Sequence, residues 1–155
     1  MNIHLIAVGN RMPAWVSDAY QDYAARLPRE CSLQLVEISA GKRQKGADLK
    51  KIAIEEGKKM LAAIPKGCRV IALEIEGKAW NTAQLSMQLE GWMQGGQDIA
   101  LLIGGPEGLA NDCVQRADSK WSLSPLTLPH PMVRVIVAEQ LFRAWSILNN
   151  HPYHR

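Results

Sequence analysis

The sequence predicts an α/β domain built on a largely parallel sheet, and three observations carry that reading. Five short runs rich in Ile, Leu and Val recur along the chain. Segments with apolar residues at helical spacing separate them, and parallel neighbours need crossover connections that helices supply. The run Val70-Ile71-Ala72-Leu73 is apolar without alternation, as expected of a strand covered on both faces.

Residues 2–8 form the first predicted strand, closed by Gly9, and Pro13 sits where a helix can begin. Trp15, Ala19, Tyr23 and Leu27 then fall four apart with Val16, Tyr20 and Ala24 beside them, giving a helix with one apolar face that Pro28 ends. Residues 32–38 are the second strand. They lead into Gly41-Lys42-Arg43-Gln44-Lys45-Gly46, which has no apolar residue and must be an exposed basic loop. Asp48 can cap a helix reaching Ile64 on a stripe of Leu49, Ile52, Ala53, Met60 and Ile64. The third strand, 69–75, gives way to a turn at Glu76-Gly77-Lys78. Asn81 and Gln84 make a capping box for a helix through Leu85, Leu89 and Trp92, stopped by Gly95-Gly96. The most apolar strand, 99–103, runs straight into Gly104-Gly105-Pro106-Glu107-Gly108. A short helix over 112–117 and a fifth strand-like piece at 121–123 follow. Pro125, Pro129 and Pro131 exclude a helix from the next stretch, and 132–149 is one long helix. Its first half, with Val133, Val135, Ile136, Val137 and Ala138, has hardly any polar face and requires burial nearly all round.

With 155 residues, 47% of them apolar, and no linker, repeat or low-complexity tract, residues 1–155 read as a single domain able to bury a core unaided. A net charge of +3 excludes both a strongly basic coating and an acidic disordered tail. The charge is uneven: 13 Lys and Arg stand against 9 Asp and Glu in residues 1–78, and 5 against 6 in residues 79–155. Any electrostatic footprint therefore lies in the first half. Cys31, Cys68 and Cys113 are odd in number and lack C-x-x-C spacing, which argues against a disulfide framework and a zinc site. There is no leader-like segment and no apolar run near the roughly 18–20 residues of a membrane span, so the expectation is a soluble protein of the reducing cytoplasm.

Ligands of open parallel sheets bind beyond the carboxyl ends of the strands. Three segments compete for that place: 73–77, 104–108 and 123–130. The glycine-rich loop is a tight turn or a place where a ligand approaches bare backbone; it is neither a dinucleotide fingerprint nor a P-loop. The run Leu123 to Leu128 has main-chain groups that cannot all join a ladder, and these either meet water or read an adenine edge. His130, His151 and His154 suit proton transfer near neutral pH, but their spacing around Pro152 and the lack of nearby Cys or Asp ligands disfavour a metal. Lys42, Arg43, Lys45, Lys50 and Lys51 form a local basic patch, either a solvated loop or a phosphate contact. In the last helix Glu139 and Arg143 stand four apart and can simply pair.

Taken together, Leu-Leu-Ile-Gly-Gly-Pro-Glu-Gly at 101–108, Leu-Thr-Leu-Pro-His-Pro at 126–131 and Asn-His-Pro-Tyr-His-Arg at 150–155 are far more specific than any one of them. The sequence resembles the ribosomal RNA large-subunit methyltransferase H family of the SPOUT superfamily over its whole length. That resemblance implies a SPOUT-type α/β knot: a mostly parallel sheet flanked by helices, with a deep trefoil knot at its C-terminal end. It implies methylation of N3 of a pseudouridine in 23S rRNA with S-adenosylmethionine, by a homodimer acting on the assembled 70S ribosome, without membrane or metal. Carried over residue by residue, the cofactor contacts fall at Leu73, Gly104, Leu123, Ser124, Pro125, Leu126, Thr127 and Leu128. Gly104 would let the ribose or methionine part lie against bare main chain.

Transfer from a sulfonium is an in-line displacement dominated by positioning, and N3 must lose its imide proton on the way. The tail, with Tyr153, His154 and Arg155, is expected to complete the site across the dimer interface, and His130 is a secondary catalytic candidate. RNA contact is expected at Lys42, Arg43, Lys45 and Lys50.

Overall fold

A computed structural model describes all residues 1–155. Strands β1 (Asn2–Val8), β2 (Ser32–Ile38), β3 (Arg69–Ala79), β4 (Ile99–Ile103) and β5 (Ser119–Ser122) form one sheet in the order β2-β1-β4-β3-β5. Every pairing is parallel. The helices are α1 (Ala14–Ala24), α2 (Leu49–Ala63), α3 (Thr82–Gly95), α4 (Asn111–Arg116) and α5 (His130–Leu148).

Strand alternation divides the core in two. Ile3, Leu5 and Ala7 of β1 point the same way as Ile71 of β3 and Ile99, Leu101 and Ile103 of β4, and pack with α1, α3 and α5. Ile6, Val8, Val70, Ala100 and Leu102 point the other way, onto Met60 of α2 and Cys113 of α4. The three cysteines are free and buried. Two helix starts form as their residues predict. Asp48 accepts a bond from the Lys51 amide at 3.2 Å, and Asn81 and Gln84 cap each other's amides at 2.8 and 2.9 Å.

Four expectations need correction. On α1 the buried residues are Val16 and Tyr20, while Trp15 is 56% exposed. On α2, Leu49 lies in solvent and the buried positions are Glu56, Gly57 and Met60. The helix is rotated there because Gly57 packs against α4: a Cβ at Gly57 would come within 2.6 Å of the Ala110 methyl. The expected turn at Glu76-Gly77-Lys78 does not end the third strand: β3 runs on to Ala79 with a bulge over Glu74 to Gly77, since Leu73 and Lys78 both lie opposite Trp121 of β5. Gly77 permits the return, because a Cβ there would meet the Trp121 amide nitrogen at 2.7 Å. Finally, α5 begins at His130 with Pro131 in its first turn, where the missing N–H would have no helical partner anyway. Its first half is not covered all round in one chain. Met132 is exposed, Val133, Val135 and Ile136 are half-buried, and the one charged residue of this half, Arg134, is as deeply buried as the apolar Val137 and Ala138.

Candidate functional site

The β3 bulge, the loop after β4 and the run after β5 meet at the carboxyl edge of the sheet. Together with the start of α5 they enclose a cavity of about 790 Å³. Its wall includes Leu73, Gly104, Leu123, Ser124, Leu126, Thr127, Leu128 and His130, so the sequence-selected segments do converge. Pro125 alone of the predicted cofactor residues is not part of that wall. Residues 123–128 make no main-chain hydrogen bond to other main chain outside the regular elements. Instead the Ser124 hydroxyl accepts from the Leu126 amide at 2.9 Å, and the Ser122 hydroxyl donates to the Ser124 carbonyl at 3.2 Å. The remaining amides and carbonyls of this run are free for a planar polar edge.

Gly104 serves the loop rather than opening room beside a ligand. A Cβ there would lie 2.3 Å from the Gly108 carbonyl carbon and 2.5 Å from the Leu109 nitrogen, so its bare face is filled by the loop's own backbone. Gly105 and Gly108 bridge each other across that turn, and Gly108 sits at φ +82°. The bulge contributes two acids that composition alone did not single out, Glu74 and Glu76. Burial pushes the Glu74 carboxyl above the usual range, with Lys120 opposing and Glu76 adding to the rise.

The expected RNA-binding residues divide. Lys42, Lys45 and Lys50 are exposed. Arg43 is not: its guanidinium lies between Glu56 and Glu107, at 2.7 Å from each. Glu107 belongs to the expected 104–108 segment, but Glu56 was not foreseen as part of a site. The only sequence signal for Glu56 is an acid on the core side of α2, where the apolar stripe predicts none.

The tail lies elsewhere. The Tyr153 hydroxyl donates to Glu139 Oε1 at 3.0 Å, and its ring packs on Phe142 and beneath the Arg143 guanidinium. Glu139 and Arg143 do pair, through the Arg143 Nε at 2.8 Å. His154 Nδ1 and the Ser146 hydroxyl are 3.2 Å apart, and Arg155 is exposed. Burial and the bond to Glu139 push the Tyr153 phenol up to about 12, so it is a donor at neutral pH. Within one chain the tail folds back from the end of α5 to reach Glu139 and Phe142 at mid-helix, and none of Tyr153, His154 and Arg155 lines the cavity. No group of three or more His, Cys, Asp or Glu is placed to hold a metal ion, and no helix is long and apolar enough to cross a membrane.

A family model described as "Predicted SPOUT methyltransferase" matches residues 1–154. A protein of Thioalkalivibrio sulfidiphilus named ribosomal RNA large subunit methyltransferase H is 64% identical over 155 residues, covering 100% of this chain and 99% of that one. One of Hahella chejuensis with the same name is 57% identical over the same shares. Among solved structures, a probable methylase family protein from Haemophilus influenzae superposes with a TM-score of 0.59 at 14% identity, over 99% of this chain and 70% of that one. A putative methyltransferase from Legionella pneumophila in complex with bound SAM gives 0.51 at 13% identity, over 94% and 66%. These two likenesses show the fold.

His130 is held below its ordinary pKa by burial first and by Arg134 and Arg43 next, so it is a neutral acceptor at neutral pH. The unfolded chain therefore takes up this proton first. The stability involved is complete above about pH 6.5 and is lost as pH falls through the depressed folded value. Urea denaturation from about pH 7.5 to 5 should show a smaller loss of stability in His130→Gln than in the unaltered protein; parallel curves would contradict this.

Proposed function

This chain belongs to the SPOUT methyltransferase family, and from that premise we propose that it moves the methyl group of S-adenosylmethionine to N3 of a pseudouridine in 23S rRNA. It acts as a homodimer on the assembled 70S ribosome, in the cytoplasm. The observation that carries the cofactor half of this reading is the cavity itself, walled largely by main chain freed from the sheet. Whole-length identity to two ribosomal RNA large subunit methyltransferases H supports the substrate half.

The residues present fit this cofactor. The volume of about 790 Å³ falls within the usual range for small-molecule sites. Unpaired main-chain groups of Leu123 to Leu128 offer donors and acceptors to an adenine edge, and Leu73, Ile103, Leu109 and Val133 give apolar walls. Glu74 sets a carboxylate in the wall, suited to a cationic sulfonium or ammonium. The family further implies that these loops and α5 form the deep trefoil knot.

S-adenosylmethionine, when bound, supplies an electrophilic methyl group, and the chain's task is to hold N3 in line with it and lower the cost of losing the imide proton. His130, neutral and in the cavity wall, can accept that proton. Arg155 carries a positive charge able to stabilise the resulting anion. None of Tyr153, His154 and Arg155 lines the cavity of its own chain, where Tyr153 is held against Glu139 and Phe142, which supports their action at the cavity of a second copy. The half-exposed apolar side chains of α5 and exposed Trp15 supply a surface suited to that copy. Lys42, Lys45 and Lys50 contact phosphate, and a net charge of +3 fits a substrate that supplies much of its own binding surface.

Labelled S-adenosylmethionine with 70S ribosomes lacking this modification should place label in N3-methylpseudouridine of 23S rRNA, read by nucleoside mass spectrometry. Label in another nucleoside, or none, would overturn the reading. The tail's action across the dimer has its own test. A chain cut after His151 and a chain with Thr127→Trp in the cavity should each be inactive. Mixed and re-dimerised in equal amounts, they should recover about one quarter of normal activity, since half the dimers then hold one complete site of two. Tail action within one chain predicts no recovery.

A further inference from the structure

Arg43 uses all five of its N–H donors. Nε bonds both oxygens of Glu107 at 3.0 and 3.1 Å, and Nη2 reaches Glu107 and Glu56 at 2.7 Å each. Nη1 bonds Glu56 at 2.9 Å and the Gly41 carbonyl at 3.1 Å, while the Gly41 amide donates back to Glu56 at 2.8 Å. The Glu56 side chain is 5% exposed and that of Arg43 19%. A guanidinium so engaged has no donor left for a phosphate, and two carboxylates beside it would repel one. What the arrangement does is mechanical. It ties three pieces of chain together: the loop after β2 that carries Lys42 and Lys45, the helix α2 through Glu56, and the glycine-rich loop through Glu107. Gly105 lets the guanidinium lie close, since a Cβ there would come within 3.2 Å of its Nη2. Residues 104–108 line the cavity, whereas Arg43 does not.

We infer that Arg43 is a positioning residue for the cofactor, fixing the glycine-rich wall of the cavity to the same segment that presents the phosphate-binding lysines. The inference rests on the methyl-transfer reading above. The cavity wall and the RNA-facing loop are then one unit, and disturbing the link weakens cofactor binding without touching a cofactor contact. Lysine cannot replace arginine here: an ammonium is a point charge with three donors and cannot serve two carboxylates and a carbonyl in one plane.

The test is steady-state methyl transfer to unmodified 70S ribosomes, with equilibrium binding of S-adenosylhomocysteine, for the unaltered protein, Arg43→Lys, Glu107→Gln and Lys42→Ala/Lys45→Ala. Arg43→Lys and Glu107→Gln should raise the KM for S-adenosylmethionine and weaken S-adenosylhomocysteine roughly tenfold, with the loss falling on KM rather than kcat. Lys42→Ala/Lys45→Ala should instead raise the KM for ribosomes. A purely structural role would lower the active fraction, hence apparent kcat, and leave the cofactor KM alone; that result overturns the inference. So does a cofactor KM within about twofold of normal in Arg43→Lys, a fold change too small for a lost charge-assisted bond. Should Arg43→Lys fail to fold, Glu56→Gln, which lies outside the cavity wall and keeps the Arg43–Glu107 pair, decides by the same criterion. Failure of the methyl-transfer reading is told apart because it appears in the unaltered protein, as absence of both binding and transfer.

Discussion

The inner strands β1, β4 and the first half of β3 keep both faces out of water, and that constraint organises the molecule. Their side chains go alternately into two cores, one under α1, α3 and α5 and one under α2 and α4. Every main-chain group along them must find its partner within the sheet. Irregular backbone is admissible only where strands end. At the carboxyl edge three such ends lie side by side, the β3 bulge, the turn after β4 and the run after β5, and the cavity is the space they leave.

Charges driven into the interior stabilise the same edge. Arg134 is 1% exposed and donates to the carbonyls of Val8 and Gly9 at 3.3 and 2.6 Å while pairing with Glu37 at 2.8 Å. It thus seats the start of α5 on the end of β1, next to His130. Arg43 does the corresponding work for the loops on the other side. Loss of Arg43 would leave the buried Glu56 carboxylate without a compensating charge, whereas Glu37 and Glu107, the other acids these two arginines pair with, keep contact with water. These two guanidiniums therefore fix the loop positions more firmly than loop residues could by themselves.

The sheet, its five strands and both helix caps were legible because each depends on local pattern: apolar runs, helical spacing, Asn81 three residues before Gln84. The cavity segments were legible for the same reason, since strand ends followed by glycine or proline cannot stay in a ladder. What was not legible depends on pairs distant in sequence. Arg43 looks like any loop cation until Glu56 and Glu107 close around it. Glu76-Gly77-Lys78 reads as a turn because the return of β3 after its bulge is dictated by Trp121 on another strand. Gly104 suggests room for a ligand, although its vacancy is filled by Gly108. The rotation of α2 is set by Ala110 against Gly57, a contact that α2's own periodicity does not contain.

The central claim is that three segments at the carboxyl edge form one cofactor site. Amide hydrogen exchange of the protein with and without S-adenosylhomocysteine tests it most directly. The account predicts added protection concentrated in residues 73–77, 104–109 and 123–130. A second cavity, between α1 and β2 and lined by Val16, Tyr20 and Leu35, serves as the internal control and should be unchanged. Protection centred on that cleft, or none at the carboxyl edge while the ligand is bound, would contradict the account.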